Sequence, residues 1–204
     1  MANLKLVTME TLAKTTLFEL HRPYVFVVDM INGFIKEGAL SDSGIMDISQ
    51  PIADLLKKAK DCSFVCDSHN LDAREFESYP IHCVENTDES KVIKELEMYA
   101  NHIIHKNSTN TFIAKEFQDR LPELLANYDD FVIVGCCSDI CILHFALSLQ
   151  TFFNEANMNL KRVIVPVNMI ETFDIPGVHD RDTENQIACD LMIRNGIQVV
   201  IMEN

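Results

Sequence analysis

The sequence predicts an α/β fold: a three-layer sandwich with a mainly parallel sheet of about six strands and helices on both faces. Two observations carry this expectation. Short apolar runs alternate with helix-length amphipathic segments along the chain. The runs are rich in Val, Ile and Phe and do not alternate strictly with polar residues, as expected for parallel strands buried on both faces. Such alternation builds a parallel sheet with right-handed crossovers. The length of 204 residues suits one domain. No repeat, low-complexity tract or Pro/Gly/Ser linker divides it, so 1–204 is read as a single domain with 1–20 as a peripheral N-terminal strand or helix.

The expected strands are YVFVVD (24–29), SFVCD (63–67), HIIHK (102–106), DFVIVG (130–135), RVIVPV (162–167) and QVVIM (198–202). The first expected helix covers 45–60, where Ile48, Ile52, Leu55, Leu56 and Ala59 recur at spacings of three and four and form one apolar stripe. Further helices are expected over 89–100, 112–126, 139–156 and 182–196, the last ending at Gly196 as its C-terminal stop.

Composition narrows the function classes. Lys+Arg 17 against Asp+Glu 31 gives a charge of −14, a field that repels nucleic acid and anionic membranes. No apolar stretch approaches the ~18 residues that suggest a membrane span. Seven cysteines cannot all pair within the chain; with no paired CxxC pattern and no secretory leader, the reading is a reduced, cytoplasmic protein. Neither GxxxxGK[ST] nor GxGxxG occurs, so no nucleotide cofactor is expected. The oligomeric state stays open, with a homo-oligomer among the options.

Open parallel sheets bind ligands beyond the carboxyl ends of their strands. Here the first strand ends in Asp29, the second in Asp67 with His69 just beyond, and the third in Lys106. The fourth ends in Gly135, and the turn CCSDIC leads into a helix with Cys141 near its start, capped by Ser138 or Asp139. Packing alone gives no reason for polar groups at the same end each time. Cys141 is the expected nucleophile, activated by the helix N-terminus and the Lys106 cation, with Asp29 as base and proton carrier. The turn can aim backbone N–H groups at a developing oxyanion. Asp67 and His69 have a metal-ligand spacing on an extended segment. The following loop offers His82 as a third ligand and Glu75 as a candidate fourth. Nitrogen and oxygen donors favour one divalent ion, Zn²⁺ first, with Fe²⁺ or Mn²⁺ as alternatives. Cys62, Cys66 and Cys189 are read as core, and Cys136 and Cys137 as shaping the turn. His21, His102, His105, His144 and His179 are read as structural or exposed, without metal-type neighbours.

These residues resemble the isochorismatase-like cysteine hydrolases, and within them the nicotinamidases. The shared motifs are VVDMINGF (27–34), DSH (67–69), Lys106 and GCCSDICI (135–142); YPIHCVENT (79–87) is similar to a segment of the nicotinamidase subgroup. The resemblance runs from about residue 24 to the C-terminus. It implies hydrolysis of nicotinamide to nicotinate and ammonia through a thioester on Cys141, with Asp29 and Lys106. It implies metal ligation by Asp67, His69 and His82, with Glu75 as the additional carboxylate of some members. Phe34 and Tyr79 match the aromatic pair around the pyridine ring. A cis peptide at Cys136–Cys137 would set the N–H groups of Cys137 and Cys141 as the oxyanion hole. Asn86 stands where the family usually has Gly, and DESK replaces a glycine-rich stretch. Another small amide as substrate, or a non-catalytic relative, remains open at this level.

Overall fold

The computed structural model describes residues 12–203. Its sheet contains β1 (Ala13–Thr16), β2 (Pro23–Val28), β3 (Cys62–Asp67), β4 (Ile103–Lys106), β5 (Asp130–Cys136), β6 (Arg162–Pro166), β7 (Ile170–Glu171) and β8 (Gln198–Glu203). The order is β1-β8-β6-β5-β2-β3-β4, with β7 pairing β5, and every ladder is parallel. The helices are α1 (Asn32–Ile35), α2 (Ser49–Leu56), α3 (Lys115–Asn127), α4 (Leu143–Glu155) and α5 (Arg181–Arg194).

The six expected strands are present, and two further ones make an eight-stranded sheet. Both additions lack the apolar signature for a physical reason. The edge strand β1 is the polar run AKTT, exposed or half-buried throughout, and β7 is only two residues long. The expected N-terminal peripheral segment is therefore an edge strand at 13–16, while its residues 1–11 lie outside the described residues.

Strand residues divide between two cores. Val25, Val27, Phe64 and Val132 face Ile48, Ile52 and Leu55 beside α2. Tyr24, Phe26, Val28, Phe131 and Ile133 face Phe117, Leu121, Phe145, Leu149 and Met192 on α3, α4 and α5. Each fully buried side chain of this size contributes roughly 1.5–3 kcal/mol, so β2 and β5, apolar on both faces, anchor the layers.

The helix expected over 89–100 does not form; a short 3-10 turn, Glu97–Tyr99, is its helical remnant. The backbone is engaged elsewhere. Asn32 N–H donates to Lys91 O at 2.9 Å, Ile93 N–H donates to Met30 O at 3.0 Å, and Ile31 bridges Val92 antiparallel. Ile93 and Leu96 are buried in the core beside the segment after β2. The apolar stripe over 45–60 begins as a 3-10 turn, Ser43–Ile48, before α2.

The chain reverses its direction across the sheet between β5 and β2: β3 and β4 build outward on one side of β2, and β6 and β8 beyond β5. Such a switch point opens a crevice at the carboxyl ends of the strands. Gly135 closes the approach there. It has φ +114°, and a Cβ would stand 2.0 Å from the carbonyl oxygen of Val28. Glycine alone lets the end of β5 press onto the end of β2.

Candidate active site

Asp29 follows β2 in a left-handed backbone conformation, φ +53°, which non-glycine residues seldom adopt. Its N–H donates to Val65 O at 2.8 Å, and its side chain points into the protein, fully buried. Oδ1 accepts the N–H of Asp67 at 2.9 Å. Oδ2 lies 2.8 Å from Lys106 Nζ as an ion pair, outside hydrogen-bonding alignment. Lys106 sits opposite Asp67 in the β3–β4 register. Its ammonium also contacts Asp67 Oδ1 and lies 3.7 Å from Cys141 Sγ. Cys141 Sγ and carboxylate oxygens of Asp29 and Asp67 fall within 4.8 Å of one another. Three strand ends and the turn after β5 thus bring Asp29, Lys106 and Cys141 together.

The turn that carries Cys141 differs from the expected helix start. Ser138–Ile142 is a wide π turn, closed by Ile142 N–H on Cys137 O at 3.1 Å, and α4 begins only after it. Neither Ser138 nor Asp139 caps it. Ser138 Oγ donates to Asn185 Oδ1 at 2.5 Å, and Asp139 accepts Thr172 Oγ1 at 2.6 Å. The Cys136–Cys137 peptide is cis. Cys136 is buried with its Sγ 3.1 Å from Asp29 O.

Electrostatics at the thiol set two influences against each other. Burial pushes the Cys141 thiol well above its ordinary range; Lys106 pulls it down, as expected of a neighbouring cation, while Asp29 and Asp67 reinforce the rise. The Lys106 charge is shared with these two carboxylates, both in direct contact with it. Burial and the neighbouring Asp67 charge raise the Asp29 carboxyl to about 7, against the pull of Lys106. Burial would lower the Lys106 ammonium, yet Asp29 and Asp67 hold it well above its usual value. A thiol raised by burial thus faces a carboxyl raised to about 7.

Beside this group, donor atoms of Asp67, His69, Glu75 and His82 lie within 4.8 Å of one another. His69 Nε2 is 3.6 Å from Asp67 Oδ2 and 3.9 Å from Glu75 Oε1. His82 Nε2 is 3.9 Å from each of the same two oxygens. Both imidazoles are anchored by the other nitrogen, His69 Nδ1 on Asn107 Oδ1 at 3.0 Å and His82 Nδ1 on Pro80 O at 2.8 Å. This fixes the lone pairs at Nε2, the arrangement metal-ligating histidines use. Among the described residues, His69 Nε2 is buried without a hydrogen-bond partner, a costly state that a cation relieves. Ligand bonds of ~2.1 Å in a tetrahedron set donors about 3.4 Å apart, so the cluster fits a divalent ion. Glu75 Oε2 also accepts Thr109 N–H at 3.1 Å, which holds its Oε1 at the cluster.

A cavity of about 540 Å³ opens onto both groups. Asp67, Glu75, His82, Cys137 and Cys141 line it, as do Phe34 and Tyr79. The ring centres of Phe34 and Tyr79 lie 5.7 and 6.2 Å from that of His82. Every expected site residue is therefore in or directly behind one cleft.

Sequence reasoning missed the supports. Asn107 and Phe76, whose ring lies 5.4 and 5.6 Å from the two imidazoles, brace the cluster. Asn107 carried a signal, since it directly follows Lys106 at a strand end. His179 was read as having no metal-type neighbours, yet its Nε2 lies 2.9 Å from Asp139 Oδ2 and Glu184 stands nearby. It stacks on Phe173 at 3.9 Å and braces the nucleophile turn. Asn185 and Glu171 extend the same brace. Only the folded chain brings these residues to position 139.

The fold and cleft place a buried cysteine at the switch point of a parallel sheet, beside a buried carboxylate and a buried ammonium. Residues 23–151 match the isochorismatase domain, and the chain belongs to that family. It is 27% identical over 177 residues to nicotinamidase 1 of Arabidopsis thaliana, covering 74% of this chain and 69% of the relative. N-carbamoylsarcosine amidase from Thermoplasma acidophilum superposes with a TM-score of 0.67 at 26% identity, covering 88% of this chain and 95% of that one. Pyrazinamidase of Pyrococcus horikoshii, solved in complex with zinc, gives a TM-score of 0.70 at 21% identity over 88% of this chain and 99% of that one. Among the described residues, no helix is long and apolar enough to cross a membrane.

Proposed function

We propose that the chain is a metal-assisted cysteine amidase that converts nicotinamide to nicotinate and ammonia. The observation that carries this reading is one cleft in which Cys141, Asp29 and Lys106 adjoin a four-donor nitrogen and oxygen cluster. Asp29 takes the thiol proton as Cys141 Sγ attacks the carboxamide carbon. Lys106 stabilises the thiolate, and the N–H groups of Cys137 and Cys141 receive the oxyanion. Protonated Asp29 returns its proton to the departing nitrogen, releasing ammonia and leaving a thioester on Cys141. Asp29 then deprotonates a water, whose attack releases nicotinate and the free thiol.

Asp67, His69, His82 and Glu75 would hold one divalent ion, zinc first and Fe²⁺ or Mn²⁺ as alternatives, which supplies a Lewis acid for a pyridine nitrogen. Phe34 and Tyr79 would hold the ring between them. The unpaired state of all seven cysteines supports a reducing, cytoplasmic setting, and the product would return to NAD synthesis. The relation to N-carbamoylsarcosine amidase supports a second reading, a different small amide. Ammonia release from nicotinamide, with and without a chelator, decides between them. The expected result is chelator-sensitive turnover that Cys141→Ala abolishes while metal content is kept. Full activity in that variant, or turnover confined to another amide, would refute the reading.

A further inference from the structure

The cavity extends beyond the groups that would hold a pyridine carboxamide. Its volume of about 540 Å³ lies in the range of roughly 300–1,000 Å³ that accommodates drug-sized ligands. Part of its lining takes no role in the reaction above: Leu40 after α1, Ile140 in the nucleophile turn, and Phe173 and Ile175 after β7. This apolar wall is held in place. Arg181 Nη2 reaches Asp42 Oδ2 at 2.6 Å, and Arg181 Nε donates to Thr172 O at 2.9 Å. Asp42 Oδ2 also accepts Asp174 N–H at 2.8 Å, tying the two loops together. Gly44 keeps room for this tie, since a Cβ there would meet the Arg181 guanidinium at 2.3 Å. Ile175 is bonded to His179 through both N–H···O contacts, each 2.9 Å, and yet is 46% exposed. A rigid apolar surface left to water inside a cleft gains from being covered.

We propose that Leu40, Ile140, Phe173 and Ile175 form a second substrate pocket, so that the enzyme also takes aromatic carboxamides carrying an uncharged apolar extension. The proposal deepens the amidase reading and rests on it. With the ring nitrogen and the carboxamide carbon both anchored, the ring carbon meta to both, C5 of nicotinamide, is free to carry that extension. The apolar wall selects against an acidic one. Leu40, Ile140, Phe173 and Ile175 offer no hydrogen-bond donor from their side chains, and the nearby Arg181 guanidinium is already taken by Asp42, so a carboxylate on the extension is desolvated without a partner.

The test compares kcat/KM for ammonia release from nicotinamide, 5-propylnicotinamide and 5-(2-carboxyethyl)nicotinamide. The propyl compound is expected within tenfold of nicotinamide and at least tenfold above the carboxyethyl compound. Filling the pocket with Ile175→Trp or Leu40→Trp is expected to lower the propyl-to-nicotinamide ratio at least tenfold in one or both, the scale on which pockets discriminate methylenes. Both substrates are read on one preparation, so the ratio is insensitive to partial misfolding. Turnover of nicotinamide with the propyl compound more than tenfold slower would overturn the pocket, as would propyl and carboxyethyl compounds within tenfold of each other. A ratio unchanged in both variants would do the same. If nicotinamide itself is not hydrolysed, the amidase reading fails, and calorimetry on Cys141→Ser then tests the pocket alone. Binding of 5-propylnicotinate at least tenfold tighter than nicotinate supports it; anything less overturns it.

Discussion

Replacing Lys106 by Met keeps an unbranched apolar stem out to Cε and removes the cation that touches both Asp29 and Asp67. All three side chains are 1% exposed or less. At the 2.8 Å separation from Asp29 Oδ2, one such pair is worth about 6 kcal/mol at an effective dielectric of about 20. Desolvation of the ammonium costs several kcal/mol in return, and breaking a buried pair from one side costs ~3–5 kcal/mol net. The variant is expected to lose that much in urea unfolding at pH 8 with chelator present, corresponding to a fall in Tm of about 6–20 °C for a chain of this size. Its deficit should shrink at pH 5.5. Without the cation, Asp29 holds its proton more tightly in the folded than in the unfolded state, so the variant's stability falls as pH rises through that range. A loss under about 1 kcal/mol at pH 8, or a deficit that grows toward pH 5.5, would refute this account of the charge balance.

Three further outcomes are expected. Asp129 binds Arg22 Nε at 2.7 Å, Lys161 Nζ at 2.9 Å and His21 Nδ1 at 2.6 Å; Asp129→Asn should cost ~3 kcal/mol, measured by urea unfolding at pH 7. Its carboxyl is held well below its ordinary range, chiefly by the Arg22 hydrogen bond, so this contribution is present above about pH 4 and fades below it; the gap between wild type and variant should close in acid. Asn107→Leu removes the acceptor that orients His69 and should weaken metal affinity about 10–100-fold in a competition titration with a chelating dye. Gly135→Ala forces a Cβ against Val28 O and should cost ~4 kcal/mol or more; soluble, wild-type-like melting of that variant would contradict the close approach of β5 to β2.

What the sequence disclosed follows from how each feature is encoded. The six central strands were legible because burial on both faces demands unbroken apolar runs, as in YVFVV and DFVIV. The residues at their carboxyl ends were legible because a parallel sheet converts strand order into a shared rim. Residues 89–100 misled because Val92, Ile93 and Leu96 report burial, while the backbone partners Met30 and Asn32 that extend the segment lie some sixty residues away. The charge balance around the thiol was illegible for a similar reason. Lys106 could be placed near Cys141 from sequence, but the simultaneous contact of Asp29 and Asp67 on that ammonium is a distance, and distances are absent from spacing. The brace behind Asp139, made by Thr172, His179 and their neighbours, has no local signature at all.

Asp67 has two oxygens with two clients: Oδ1 holds the Lys106 ammonium, and Oδ2 faces the imidazoles of His69 and His82. One carboxylate is thus the common wall between two rooms, the one that holds Asp29, Lys106 and Cys141 and the one that holds the four-donor cluster. Neither room can be remodelled alone through this residue. A substitution there unsettles the lysine and the donor cluster in one stroke, and lost activity in an Asp67 variant reports on their sum. Separate control of the two lies on the far sides, through His69, Glu75, His82 and the supporting Asn107 on one, and through Asp29 and Cys141 on the other.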